Sequence, residues 1–224
     1  MHLQIGKKFK FYFYFFLIIF LTSINNFNFN NTNIFSIKVI SVNGFSESKN
    51  NQILREIKNI KGENIFFLDR KYFNKLIHRN DTKNLNIKKI YPDKLVLTFV
   101  PANPICLILN QNERIFLGDN GKLLDIKKTK KKIPTVFGSN DIENIFKIIN
   151  LLKSSKINYE NIESITFFKS NRFDVNLSNK IVIKFPIKFS IKTLNYASNL
   201  LNDKKFANSK IIDLRIKDRI IKYE

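Results

Sequence analysis

The chain has 224 residues, 44% of them hydrophobic, and 39 Lys plus Arg against 18 Asp plus Glu give a formal net charge of +21. That apolar content is enough for a packed core and excludes wholesale disorder, while a single cysteine excludes an internal disulfide and any zinc site of the usual spacing. The charge admits three readings: displacement of counterions from nucleic acid, attraction to anionic headgroups, or the Lys, Asn, Ile and Phe bias of AT-rich codons. The basic residues are mostly Lys and are spread along the chain, with one block at residues 127–132, so codon bias is favoured.

In chain order, Lys7, Lys8 and Lys10 precede the apolar run "FYFYFFLIIFLTSI". A signal peptide and a membrane anchor both fit this pattern. The anchor is favoured because no small-x-small cleavage site follows and Tyr12 and Tyr14 suit an interface. The positive-inside rule then assigns residues 1–10 to a cytoplasmic tail, 11–27 to a transmembrane helix and 28–33 to a polar linker, with the bulk of the chain outside. Residues 35–42, "FSIKVISV", read as a strand, and Ile53, Leu54 and Ile57 mark a helical face. Asp69 is placed to cap a second helix carrying Tyr72, Phe73, Leu76 and Ile77. Residues 87–90 and 95–100 form a hairpin around Pro92-Asp93. The order is βααββ, a compact α+β module over residues 34–102.

Residues 103–224 form a second, mostly antiparallel β domain with flanking helices. Strands are expected at 105–109 and 114–117, with Leu123-Leu124 continuing the sheet. "IPTVFG" reads as punctuation. Asn140 is expected to cap a helix with Glu143 in the reciprocal position, and Ile142, Ile145, Phe146, Ile149 and Leu152 form its core face. Three strands in meander spacing follow at 162–168, 173–177 and 181–185. A helix carries Ile191, Leu194 and Leu201, and two strand runs close the chain around Lys217-Asp218.

Little here points to catalysis. Cys106 lies in an apolar run and reads as a core residue; a reactive thiol would need a basic partner. His78 reads as a surface residue and His2 lies near the N-terminus. There is no glycine-rich phosphate loop and no nucleophile elbow, and carboxylates such as Asp69 and Asp125 have no spacing that marks an acid/base pair. The expectation is a non-enzyme without a cofactor or metal.

Taken together, the basic N-terminus and apolar span, "IKVISVNGF", "GENIFFLD", "IYPDKLVLTFVPANP", "RIFLGDNGKLL", "IPTVFG" and the terminal "IIDLRIKDRIIKY" resemble the FtsQ/DivIB family of bacterial cell-division proteins. The chain departs from the family pattern at Pro101-Ala102-Asn103, at Gly118-Asp119 and at Asp218-Arg219. The resemblance implies a POTRA-like module at residues 34–102 and a non-enzymatic inner-membrane scaffold, concentrated at the septum. It also implies that the chain holds the small proteins FtsL and FtsB and couples septal assembly to peptidoglycan synthesis. It places the FtsB contact at the last hairpin, by strand addition, with Ile216, Ile220 and Ile221 as apolar grip and Arg219 and Lys222 facing an acidic partner segment. The alternative for Arg219 and Lys222 is protection of an open edge against aggregation. Alternative functions are a POTRA-containing envelope protein of secretion or outer-membrane assembly, or a basic secreted nucleic-acid binder.

Overall fold

The computed structural model describes residues 7–25, 35–110, 113–206, 208–216 and 219–223. The protein is mixed α+β, dominated by a large sheet. It divides into two compact units, Met1–Tyr72 with Asn86–Thr98, and Phe73–Leu85 with Phe99–Glu224.

In the first unit, helix α1 (Lys7–Asn25) carries the apolar run, and its side chains from Phe9 to Leu21 are exposed. Among the described residues no helix is long and apolar enough to cross a membrane. The uninterrupted apolar stretch from Phe11 to Leu21 makes about 17 Å of helix against a hydrocarbon core of about 30 Å. The last two residues of the expected span, 26 and 27, lie outside the described residues.

The strand expected from residue 35 starts later. Ser36 forms an isolated bridge with Asn64 outside any strand, and β1 is Val39–Asn43. Helix α2 (Glu47–Glu56) follows and buries Ile53. Strands β2 (Thr82–Ile90) and β3 (Lys94–Pro101) flank the turn at Pro92-Asp93. The sheet order is β1-β3-β2, with β1 parallel to β3 from Val39↔Lys94 to Asn43↔Thr98.

The helix expected after Asp69 is shorter and tighter than its sequence stripe. A 3-10 turn, Arg70–Phe73, runs into one α-turn, α3 (Asn74–Ile77). Only Phe73 and Leu76, three residues apart, are buried, whereas Tyr72 is exposed. A three-residue turn lines up positions i and i+3 and leaves the others off that face.

The second unit holds a nine-stranded sheet in the order β12-β11-β10-β9-β8-β7-β4-β5-β6. Its members are β4 (Pro104–Asn110), β5 (Glu113–Gly118), β6 (Leu123–Leu124), β7 (Thr135–Phe137), β8 (Ile162–Phe167), β9 (Phe173–Leu177), β10 (Val182–Phe185), β11 (Ile211–Asp213) and β12 (Ile221–Tyr223). Most pairings are antiparallel, but β4–β7, β7–β8 and β10–β11 are parallel. Helices α4 (Ile142–Ser154) and α5 (Ile191–Leu201) supply the crossovers before β8 and β11.

Alternation separates the two faces of this sheet. Ile108, Val136, Ile165, Val175, Ile183 and Ile212 share one core with Ile145, Ile149, Leu152, Leu194 and Ala197 of the helices. Their neighbours Asp174, Asn176 and Lys184 are half-exposed.

Two local expectations are corrected. "IPTVFG" is not punctuation but strand β7, held between β4 and β8. Three residues are too few to show a period, so Val136, fully buried, carried no readable pattern. The strand stops at Gly138, whose φ is +78° and where a Cβ would lie 2.2 Å from the Phe167 carbonyl oxygen. The cap of α4 is Asp141 rather than Asn140: its carboxylate accepts the Asn144 N–H at 3.0 Å. That one-residue shift takes Glu143 out of the reciprocal position.

Residues 80–83 and 102–103 belong to the second unit because the turn after β5 gathers them. Asp119 accepts Lys83 Nζ and the Asn103 N–H, each at 2.9 Å. The Asn120 amide donates to the carbonyls of Asn80 at 2.8 Å and Thr82 at 2.9 Å.

Candidate partner-binding edge

The nine-stranded sheet ends on β12, which pairs antiparallel with β11 through Ile211↔Tyr223, Ile212↔Lys222 and Asp213↔Ile221. No strand flanks the outer side of β12 among the described residues. An edge of this kind presents N–H and C=O groups to solvent.

The edge is held in place from β11. Asp213 is buried, and the Arg215 guanidinium grips it through Nε, at 2.9 and 3.0 Å from its two oxygens, and through Nη2. The Arg215 N–H adds a bond of 3.0 Å to Oδ1. Hydrogen bonding from Arg215 holds the Asp213 carboxyl below its ordinary range, against the opposing effect of burial. Leu214, also buried, donates its N–H to the Lys184 carbonyl at 3.0 Å. This is the physical content of "IIDLR": two strand residues, a buried acid, a core leucine and the arginine that closes over the acid. Aspartate and arginine two apart were visible in the sequence, but neither was singled out as a site residue.

Lys184 lies opposite Asp174 on one side and Asp213 on the other, so charge alternates across β9, β10 and β11 on the half-exposed face. Asp174 carries the strain of this row. Burial pushes its carboxyl up, although Lys184, Arg215 and Arg172 pull the other way, and its Oδ1 is buried with no hydrogen-bond partner among the described residues. Nearby, Ser170, Arg172, Ile187, Lys188 and Arg215 line a cavity of 480 Å³ with a cationic rim and a partly apolar floor.

The residues expected to contact a partner lie as follows. Ile216 is half-exposed just beyond β11, and Arg219 is exposed. Ile220 is partly buried and packs against the core, Ile221 is half-buried in β12, and Lys222 is exposed in β12. The turn residues Lys217 and Asp218 lie outside the described residues.

Cys106 sits in β4 with no exposed surface, and burial pushes its thiol up to about 12. His78 is exposed at the end of α3, where its carbonyl accepts Lys122 Nζ at 3.2 Å. Among the described residues no group of three or more His, Cys, Asp or Glu side chains could hold a metal ion.

Residues 107–215 match the family model described as cell division protein FtsQ/DivIB, C-terminal. The match runs from β4 to Arg215. The cell division protein DivIB of Clostridium acetobutylicum is 33% identical over 96 residues, which is 42% of this chain and 38% of that relative. The major extracytoplasmic domain of DivIB from Geobacillus stearothermophilus, solved as its trans isomer, aligns at 17% identity. Its TM-score is 0.36, covering 45% of this chain and 91% of that one.

Proposed function

We infer that this chain is a member of the FtsQ/DivIB family with a role in cell division, and that it is a non-enzymatic scaffold that binds FtsB/FtsL-type partners along β12. The observation that carries the reading is the position of β12: a short strand at the end of a nine-stranded sheet, paired on one side only among the described residues. A partner segment adding there gains main-chain hydrogen bonds, and alternate side chains set its specificity. Ile216 and Ile221 offer apolar contact. Arg219, Lys222 and the cationic cavity beside Arg215 favour an acidic segment.

The same reading makes α1 a single membrane anchor with residues 1–10 in the cytoplasm and the rest of the chain in the periplasm. Support comes from Lys7, Lys8 and Lys10 in the first turn of a helix whose aromatic and aliphatic side chains from Phe11 to Leu21 are exposed. Lys10 reaching out to the headgroups lets Phe9 join the span and brings it closer to bilayer thickness. Residues 34–102 then form the POTRA-like module and residues 103–224 the partner-binding domain, which links early septal assembly to peptidoglycan synthesis.

The test is a tagged full chain in dividing cells. It should concentrate at the septum and co-purify an FtsB/FtsL-type partner, and Ile220→Pro should lose that partner while the domain stays folded, because residue 220 alternates with Ile221, whose pairing with Asp213 turns its N–H toward β11, and proline removes an N–H without changing charge. Full partner capture by a folded Ile220→Pro variant would falsify strand addition at β12.

A further inference from the structure

In the first unit, "GENIFFLD" builds a surface that the edge-binding function does not use. Ile65 and Leu68 turn inward, with 0% and 6% exposure, and so hold the two phenylalanines between them outward, Phe66 at 51% and Phe67 at 62%. The loop is rigid. The Ile65 N–H donates to the Phe35 carbonyl at 2.9 Å, Asn64 Oδ1 accepts the Phe66 N–H at 2.9 Å, and Lys89 Nζ donates to the Leu68 carbonyl at 2.9 Å.

Other rings gather on it. Phe66 meets Phe35 edge-on and stacks on Tyr91, with centroids 4.8 Å apart in both cases. Phe67 and Tyr72 line one shallow hollow with Gly62 and Leu68. Tyr72 and Tyr91 are each about half exposed. Core packing does not need these outward rings, and an exposed apolar patch of this kind marks an interaction surface.

What covers the patch follows from chain length and chemistry. Helix α1 ends at Asn25, and Phe35, itself part of the patch, is ten residues on. Fully extended, that connection reaches at most about 35 Å. A module tethered so closely to a membrane helix keeps its aromatic patch within reach of the same headgroup layer. Phe and Tyr rings, apolar in body and with a polar tip in Tyr, suit that layer.

The geometry points to a second membrane contact: Phe35, Phe66, Phe67 and Tyr91 seat the first unit on the bilayer that holds α1, at the boundary between headgroups and acyl chains. The contact rests on the anchored reading of α1. It limits how freely the exported part swings about its linker.

The chain contains no tryptophan, so a single one reports its own surroundings. The full-length F66W variant and an I187W control, Ile187 being 58% exposed outside the patch, are reconstituted into vesicles of phosphatidylethanolamine and phosphatidylglycerol containing brominated lipid. Flotation first shows whether the chain is membrane-bound. The F66W indole should emit at shorter wavelength than the control and be quenched several-fold more strongly by the bromolipid. Flotation with equal quenching in the two variants overturns the patch contact and leaves the anchor standing. Failure to float overturns both. Blue-shifted F66W emission that bromolipid does not quench means that protein covers the patch, and also overturns the proposal.

Discussion

Replacing Gly138 by alanine separates two costs that positive-φ glycines usually combine. Gly138 has φ +78°, and a Cβ there meets the Phe167 carbonyl oxygen at 2.2 Å; Gly62 has φ +96°, and a Cβ there meets nothing within 4 Å. Placing an L side chain in the left-handed region costs about 1–2 kcal/mol at either site. At Gly138 the β7 end must also move by most of an ångström. It cannot do so freely, because Phe137 is in register with Thr166 and Phe167 is in register with Phe173. Forced repacking of this kind adds about 1–3 kcal/mol. Gly138→Ala is therefore expected to lose about 4 kcal/mol and Gly62→Ala about 1.5 kcal/mol. In a unit of this size each kcal/mol moves Tm by about 2–4 °C, so Gly138→Ala should melt roughly 8–16 °C lower. Circular dichroism melts of the two variants and the parent chain measure the difference. Equal losses at the two glycines would show that the approach of Phe167 to Gly138 has no energetic weight, and the reasoning would fail.

Three further outcomes follow from the titratable groups. With its thiol at about 12, Cys106 should be unreactive toward a disulfide reagent at pH 8 in the native chain and fully reactive after unfolding; native labelling at the rate of a free thiol would contradict this. The folded-state pKa of Asp213 is depressed, so its bonds to Arg215 stabilise the fold fully above the unfolded carboxyl value of about 3.9, and that stability is lost as pH falls below it and through the lower folded value. Arg215→Ala should cost about 1–2 kcal/mol at pH 7, discounted for the part-exposed guanidinium, and clearly less near pH 3; a pH-independent loss would exclude the ion pair as the cause. Asp174 has the opposite sign: its folded pKa is raised, so the penalty is present above that value and vanishes below the unfolded one. Asp174→Asn should raise Tm at pH 7 and leave it unchanged in acid; a lower Tm at pH 7 would show that the charged row contributes net stability.

Where a segment is long enough to repeat, the sequence alone determined what it becomes. The alternation in β8, β9 and β10 and the three- and four-residue spacing of Ile145, Ile149 and Leu152 could be read without coordinates, because side-chain period depends only on backbone geometry. The order of motifs ending in "IIDLR" carried the resemblance to the FtsQ/DivIB family. Neighbours in space were decided by the tertiary structure. β7 is three residues long, and nothing in them says that they lie between β4 and β8, since periodicity assigns a face and not a partner. Asp213 became a buried, gripped acid only when the sheet placed Lys184 and Ile221 on either side of it. The run "IFFL" is uniformly apolar, so the sequence could not sort it. Packing took Ile65 and Leu68 into the core and left Phe66 and Phe67 outside, because a tight loop gives only some of its side chains a way in.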